Sequence, residues 1–123
     1  MWIYTTYGFY SVVKHRDRRQ FIQVRARKRE HLENLLKEFW PGETEDRPII
    51  NHTPDGDYHY RINVHYAYWA GMVSEMADHI DYDNFKQACH DRMNDPDYEH
   101  TLFEVWNQTQ YLLDPDRFRP DWK

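Results

Sequence analysis

The sequence predicts an α+β domain: a small, mainly antiparallel sheet with helices packed on one face, a ferredoxin-like variant with a helical C-terminal half. Three observations carry this reading. Two stretches, 21–27 and 58–64, alternate apolar and polar residues with a period of two. Four others, within 28–40, 66–80, 82–93 and 96–113, repeat apolar residues at helical spacing. The order is strand(s), strand, helix, strand, helix, helix, helix, a run that favours segregated layers. A length of 123 residues suits one core, with a single domain expected over 1–113 and an irregular tail over 114–123.

Each element has its own signal. Residues 2–14 are rich in aromatic and β-branched side chains around Gly8, which predicts one strand bulged at Tyr7-Gly8 or two short ones. The polar run 15–19 reads as a turn, and 21–27 returns as the second arm of a hairpin. In that arm Ile22, Val24 and Ala26 share one face, and Phe21, Gln23, Arg25 and Arg27 the other. Leu32, Leu35, Leu36 and Phe39 line a helix stopped by Pro41-Gly42. Residues 43–56 are acidic and aperiodic, a loop closed by a turn at Asp55-Gly56. Alternation then resumes, with Tyr58, Tyr60, Ile62 and Val64 on one side and His59, Arg61, Asn63 and His65 on the other. Trp69, Met72, Val73, Met76 and Ile80 form the stripe of the next helix. Residues 80–86 (Ile-Asp-Tyr-Asp-Asn-Phe-Lys) make a helix-to-helix corner, where Asp81 or Asp83 is expected to cap the helix carrying Phe85, Cys89 and Met93. Pro96 suits the first turn of a last helix whose apolar side holds Leu102, Val105, Trp106, Leu112 and Leu113.

Composition narrows the function classes. Four glycines and no phosphate-binding glycine motif exclude a Rossmann or P-loop enzyme. One cysteine, Cys89, excludes an intrachain disulfide and points to a reducing, cytoplasmic setting. No signal-like segment opens the chain, and no apolar run approaches the roughly 20 residues of a membrane helix, so no membrane partner is expected. The net charge of -5 is uneven. Residues 1–40 hold nine Lys/Arg against four Asp/Glu, whereas 41–123 hold seven against seventeen. A basic face that meets an anion, with an acidic remainder, is one consequence. Solvated faces that happen to segregate are the other.

Several patches resemble a widespread family of small, uncharacterised bacterial and phage proteins. These are residues 2–13 (Trp-Ile-Tyr-Thr-Thr-Tyr-Gly-Phe-Tyr-Ser-Val-Val), 24–27, 57–61, the corner at 80–86, and His100 with Val105-Trp106. The resemblance implies a bacterial or phage source and transfers no catalytic role. The acidic loop 43–56 and the tail after Leu113 depart from it.

The leading candidate site is the polar sheet face: Phe21, Gln23, Arg25 and Arg27 beside His59, Arg61 and Asn63. Rings that stack on bases and guanidiniums that grip phosphate suit single-stranded nucleic acid or a nucleotide. Asn84 and Lys86 at the corner would extend that anion site if they point toward it. The competing explanation is a solvated face, or one covered by the first strand, the tail or a second subunit. A second cluster, His79, Asp81, Asp83, His90, Asp91 and His100, carries divalent-metal ligand types at a spacing that matches no motif. Asp81 and Asp83 there are equally explained as acids at a helix start. Ser11 and Cys89 are nucleophiles by residue type alone.

The expectation is therefore a binding protein rather than an enzyme, with no cofactor and no metal, whose partner is a nucleic acid or nucleotide. A protein-interaction module such as a phage-type inhibitor is the alternative, with a metal-dependent phosphodiesterase third. A homodimer is a further expected partnership.

Overall fold

A computed structural model describes residues 1–118. Contacts group the chain into two compact units, Met1–Asp83 and Asn84–Lys123.

The first unit holds one five-stranded sheet and two helices. In chain order these are β1 (Trp2–Thr5), β2 (Gly8–Lys14), β3 (Phe21–Ala26), α1 (Arg29–Phe39), β4 (Asn51–His52), β5 (Tyr60–His65) and α2 (Tyr66–Asp78). The strands lie in the order β1-β2-β3-β5-β4, and every neighbouring pair is antiparallel. The α+β class read from the sequence is the class observed.

The alternation in β3 and β5 decides which way the sheet faces. Tyr10, Val12, Val24, Ala26, Ile62 and Val64 are buried with Leu32, Leu35, Leu36 and Phe39 of α1 and Trp69 and Met72 of α2. Both helices thus pack on one face, and removal of this apolar surface from water is the main stabilising term. Tyr10 adds a buried hydrogen bond, its hydroxyl donating to the His31 carbonyl at 2.6 Å. Burial holds that phenol neutral well above the ordinary tyrosine range.

The first stretch resolves as two strands. Thr5 stands opposite Gly8, so Thr6 and Tyr7 form a two-residue turn. Thr5 Oγ1 stabilises it by accepting from the Tyr7 and Gly8 amides at 3.0 and 3.1 Å and donating to the Gly8 carbonyl at 2.9 Å. Gly8 has φ +152°, and a Cβ there would lie 2.5 Å from His31 Cγ. The position therefore needs glycine both for its backbone and for close approach to α1.

Other boundaries differ from expectation for identifiable reasons. Residues 51–52 of the expected loop pair with β5 as a two-residue edge strand, too short to show any period. Pairing in β5 begins at Tyr60, so the alternation does not reach back to residues 58 and 59. Ile80 lies beyond the end of α2 and is 62% exposed. His65 ends β5 and caps α2 at once, its Nδ1 accepting from the Ala67 amide at 3.1 Å.

The second unit contains α3 (Phe85–Met93), α4 (Pro96–Leu113) and the short α5 (Pro115–Phe118). The cap of α3 is Asn84, not Asp81 or Asp83. The helix starts at Phe85, and Asn84 Oδ1 accepts from the Gln87 amide at 3.0 Å. Asparagine caps as well as aspartate does. Asn94 closes α3 at φ +47°, and Asp95 then caps α4 with Pro96 in its first turn. In α4 only Tyr98 and Leu102 are buried; Trp106, Leu112 and Leu113 of the expected apolar side are 50%, 80% and 82% exposed. α5 replaces the start of the irregular tail, and residues 119–123, Trp122 included, lie outside the described residues. No helix among the described residues is long and apolar enough to cross a membrane.

Candidate ligand-binding face of the sheet

The sheet face opposite α1 and α2 is built by register. Trp2 pairs with Ser11 and Tyr4 with Phe9; Ser11 pairs with Arg25, and Arg25 with Arg61. Directly opposed residues share a face, so a line runs across four strands from aromatic to cationic. Tyr4 stacks on Phe9 with centroids 4.4 Å apart and planes at 15°, and Trp2 meets Phe9 edge-on at 6.1 Å. Phe9 in turn lies 6.3 Å from the Tyr58 ring.

Tyr58 joins the two halves. The sequence pattern put it on the core side, but its ring lies under two guanidiniums, Arg25 at 4.7 Å and Arg27 at 4.9 Å. The turn 53–58 brings it there. The Gly56 amide donates to the Thr53 carbonyl at 3.2 Å, the Thr53 amide to the His59 carbonyl at 2.7 Å, and Thr53 Oγ1 to the Tyr58 carbonyl at 3.1 Å. Tyr58 is 6% exposed, and each cation–π contact at such a desolvated ring contributes ~1–2 kcal/mol.

The arginines are held by the protein. Arg25 Nη2 donates to Ser11 Oγ at 2.7 Å, and Ser11 itself is buried. Arg61 donates from Nε to Thr53 Oγ1 and from Nη1 to Gln23 Oε1, both at 3.2 Å. Its Nη2 lies so close to Gly56 that a Cβ there would come within 2.9 Å. Gln23 continues the chain, donating to Asn63 Oδ1 at 3.4 Å. Arg61 therefore braces the turn, while Arg27, which is exposed, keeps a solvent-facing guanidinium beside the rings. Burial raises the Tyr4 pKa, the nearby Tyr58 adds to this and Arg27 opposes it, so the Tyr4 phenol stays a neutral hydrogen-bonding group at physiological pH.

The expected residues do not all gather here. Arg25, Arg27 and Arg61 do. Phe21 sits at the far end of β3, paired with His65, with Arg18 3.6 Å over its ring. It lines a separate cavity of about 260 Å³ with Trp40, Asp46 and Tyr68. His59, outside β5, turns toward His52 and Tyr60, at 6.3 and 6.4 Å. Asn84 and Lys86 belong to the second unit and line a cavity of about 570 Å³ with Gln87, His90, Glu99 and Leu102. There Lys86 Nζ lies 5.0 Å over the Trp106 ring, and His90 pairs with Glu99 at 2.8 Å.

Sequence reasoning missed Trp2, Tyr4, Phe9 and Tyr58. A two-residue turn at Thr6-Tyr7 would have set Tyr4 against Phe9 and revealed the first three. Nothing in the pattern marks Tyr58, because an irregular turn places it.

Among the described residues no three His, Cys, Asp or Glu side chains gather as a ligand set. His79 instead meets the Tyr7 hydroxyl at 2.9 Å and the Phe39 ring at 4.9 Å. Cys89 is buried, and burial, with the charge of Glu99, pushes its thiol up to about 11. A neutral thiol at physiological pH is a poor nucleophile. No family model, no curated protein and no solved structure matches the chain.

Proposed function

We propose that the protein binds single-stranded nucleic acid or a nucleotide on this face of the sheet, without catalysis. One observation carries the reading: Trp2, Tyr4 and Phe9 run across the face toward Tyr58, Arg25 and Arg27, opposite the layer of α1 and α2. Aromatic faces accept any base by stacking, ~1–3 kcal/mol per base, and adjacent guanidiniums take phosphate. Trp2, 69% exposed, supplies the open stacking surface, and Arg27 the open cation. Arg25 and Arg61 shape the floor, so their replacement would confound binding with loosening of the turn.

The test is a titration of fluorescently labelled oligonucleotides and nucleotides at low salt. Trp2→Ala and Arg27→Ala should each weaken binding about tenfold in a chain that remains folded by circular dichroism, although loss of the Arg27–Tyr58 contact should lower the melting temperature by several degrees. Unchanged affinity in both variants would end the proposal.

The exposed Phe103, Trp106, Leu112 and Leu113 of α4 favour a second reading, a protein-interaction module. It predicts a partner captured by the native chain and lost when Trp106 and Leu112 are replaced by serine.

A further inference from the structure

We propose that β1 is a pairing edge for a second copy of this chain, the two strands running antiparallel about a two-fold axis at Ile3. The hydrogen-bond phase of the β1–β2 hairpin gives the register. Met1 and Val12 exchange both main-chain bonds, at 2.8 and 2.7 Å. Bonded and non-bonded pairs alternate along an antiparallel ladder. Ile3–Tyr10 is then a bonded pair, while Trp2–Ser11 and Tyr4–Phe9 are not. The amides and carbonyls of Trp2 and Tyr4 consequently point away from β2, toward the outer edge of the sheet.

Two outward residues flanking Ile3 are self-complementary. A two-fold axis there sets Trp2 opposite Tyr4 of the second copy, and Tyr4 opposite its Trp2. Each such pair exchanges two N–H···O=C bonds. On the ring-bearing face the same pairing brings a tryptophan against a tyrosine twice, a favourable cross-strand combination. On the helix side the two Ile3 side chains would meet, beside a cavity of about 240 Å³ lined by Ile3, Phe39, Val73, Met76 and the 62%-exposed Ile80.

The edge is also undefended. Residues 1–13 contain no charged side chain and no proline, so none of the usual guards against strand addition is present and no like charges face each other across the axis. The opposite edge, β4, is only two residues long and lies between Pro48 and Pro54. Self-complementarity about Ile3 favours a second copy over a foreign strand. Pairing would join the ring runs of both copies end to end, each copy extending the other's face with Trp2 and Tyr4. The inference stands whether or not that face binds nucleic acid.

Sedimentation of the native chain tests it first. The weight-average mass should rise about twofold above 15.3 kDa as concentration approaches ~100 μM, the range of a short interface. Trp2→Pro removes one outward amide at an exposed edge position and should weaken the dimer at least about tenfold. Ile3→Cys should cross-link to itself on mild oxidation, because opposed non-bonded residues have Cα atoms about 4.5 Å apart, within disulfide reach. Val13→Cys, exposed on β2, should not. A mass that stays at 15.3 kDa throughout would overturn the proposal. So would a dimer indifferent to Trp2→Pro, or one in which Val13→Cys cross-links and Ile3→Cys does not.

Discussion

Replacement of Gly8 by alanine should be among the costliest single-methyl changes in this chain. The added Cβ would stand 2.5 Å from His31 Cγ and 2.6 Å from His31 Cβ, roughly 1 Å inside normal contact. His31 cannot retreat cheaply. It is 5% exposed, its Nδ1 accepts from the Phe9 amide at 3.2 Å, and its carbonyl holds the Tyr10 hydroxyl. Overpacking of this kind costs ~1–3 kcal/mol, and the φ of +152° adds ~1–2 kcal/mol for a residue with a Cβ. A loss of ~2–5 kcal/mol is a large part of the ~5–15 kcal/mol that holds a domain folded. Thermal unfolding followed by circular dichroism should show a melting temperature lower by about 10 °C or more. The cause can be isolated with a double-mutant cycle. In a His31→Gly background, which removes both the Cβ and the Cγ that the methyl would meet, the cost of Gly8→Ala should shrink by at least ~1 kcal/mol. A cost under ~0.5 kcal/mol, or an equal cost in both backgrounds, would refute the steric account.

Further perturbations separate the other contacts. Arg61→Ala removes the donors to Thr53 and Gln23 and should cost ~1–3 kcal/mol, with amide exchange rising selectively over residues 53–59; uniform exchange across the sheet would argue against a brace. Asn84→Ala should destabilise α3 by ~0.5–2 kcal/mol while Asn84→Asp stays near neutral, because only the capping acceptor matters. Raising pH should lower stability through Cys89. Its folded thiol titrates near 11 against 9.0 when unperturbed, so the unfolded chain loses its proton first. The contribution is intact below about pH 9 and is lost progressively as pH rises through about 11. Burial of Tyr10 acts in the same direction. Denaturant melts of Cys89→Ala across this range should show a shallower decline, and an identical slope would remove Cys89 as a cause.

The sheet was legible where side chains alternate over several paired residues. Ile22, Val24 and Ala26 against Arg25 set one strand, and Ile62 and Val64 against Arg61 the next. Those periods belong to the pairing, however, and stop where it stops. Tyr58 and His59 lie just before β5, so their sides follow the Thr53–Tyr58 turn and not the alternation. The same limit hid β4, which pairs through two residues, and misassigned Ile80, one residue past the cap of α2. The cap of α3 failed by a single position, since Asp83 and Asn84 carry equivalent acceptors and only the helix start distinguishes them. In α4 the sequence marked an apolar stripe, and most of that stripe is uncovered. Spacing reports which residues share a face, and nothing in it requires that face to be covered: Trp106, Leu112 and Leu113 are exposed. For the candidate site, the arginines were found by their shared strand face, and the rings of β1 and β2 were missed because their register depends on a two-residue turn.

The most direct measurement is the affinity of the native chain for a short single-stranded oligonucleotide as a function of salt. Stacking on Trp2 should quench tryptophan emission, and contact of Arg27 and its neighbours with phosphate should make log K fall linearly with log salt, with a slope of about -1 to -2 for one to three phosphates on a single strand. Binding with that slope, weakened about tenfold in Trp2→Ala and in Arg27→Ala, is the predicted result. No quenching and no binding at low salt, for RNA, DNA and free nucleotides alike, would contradict the account of this face.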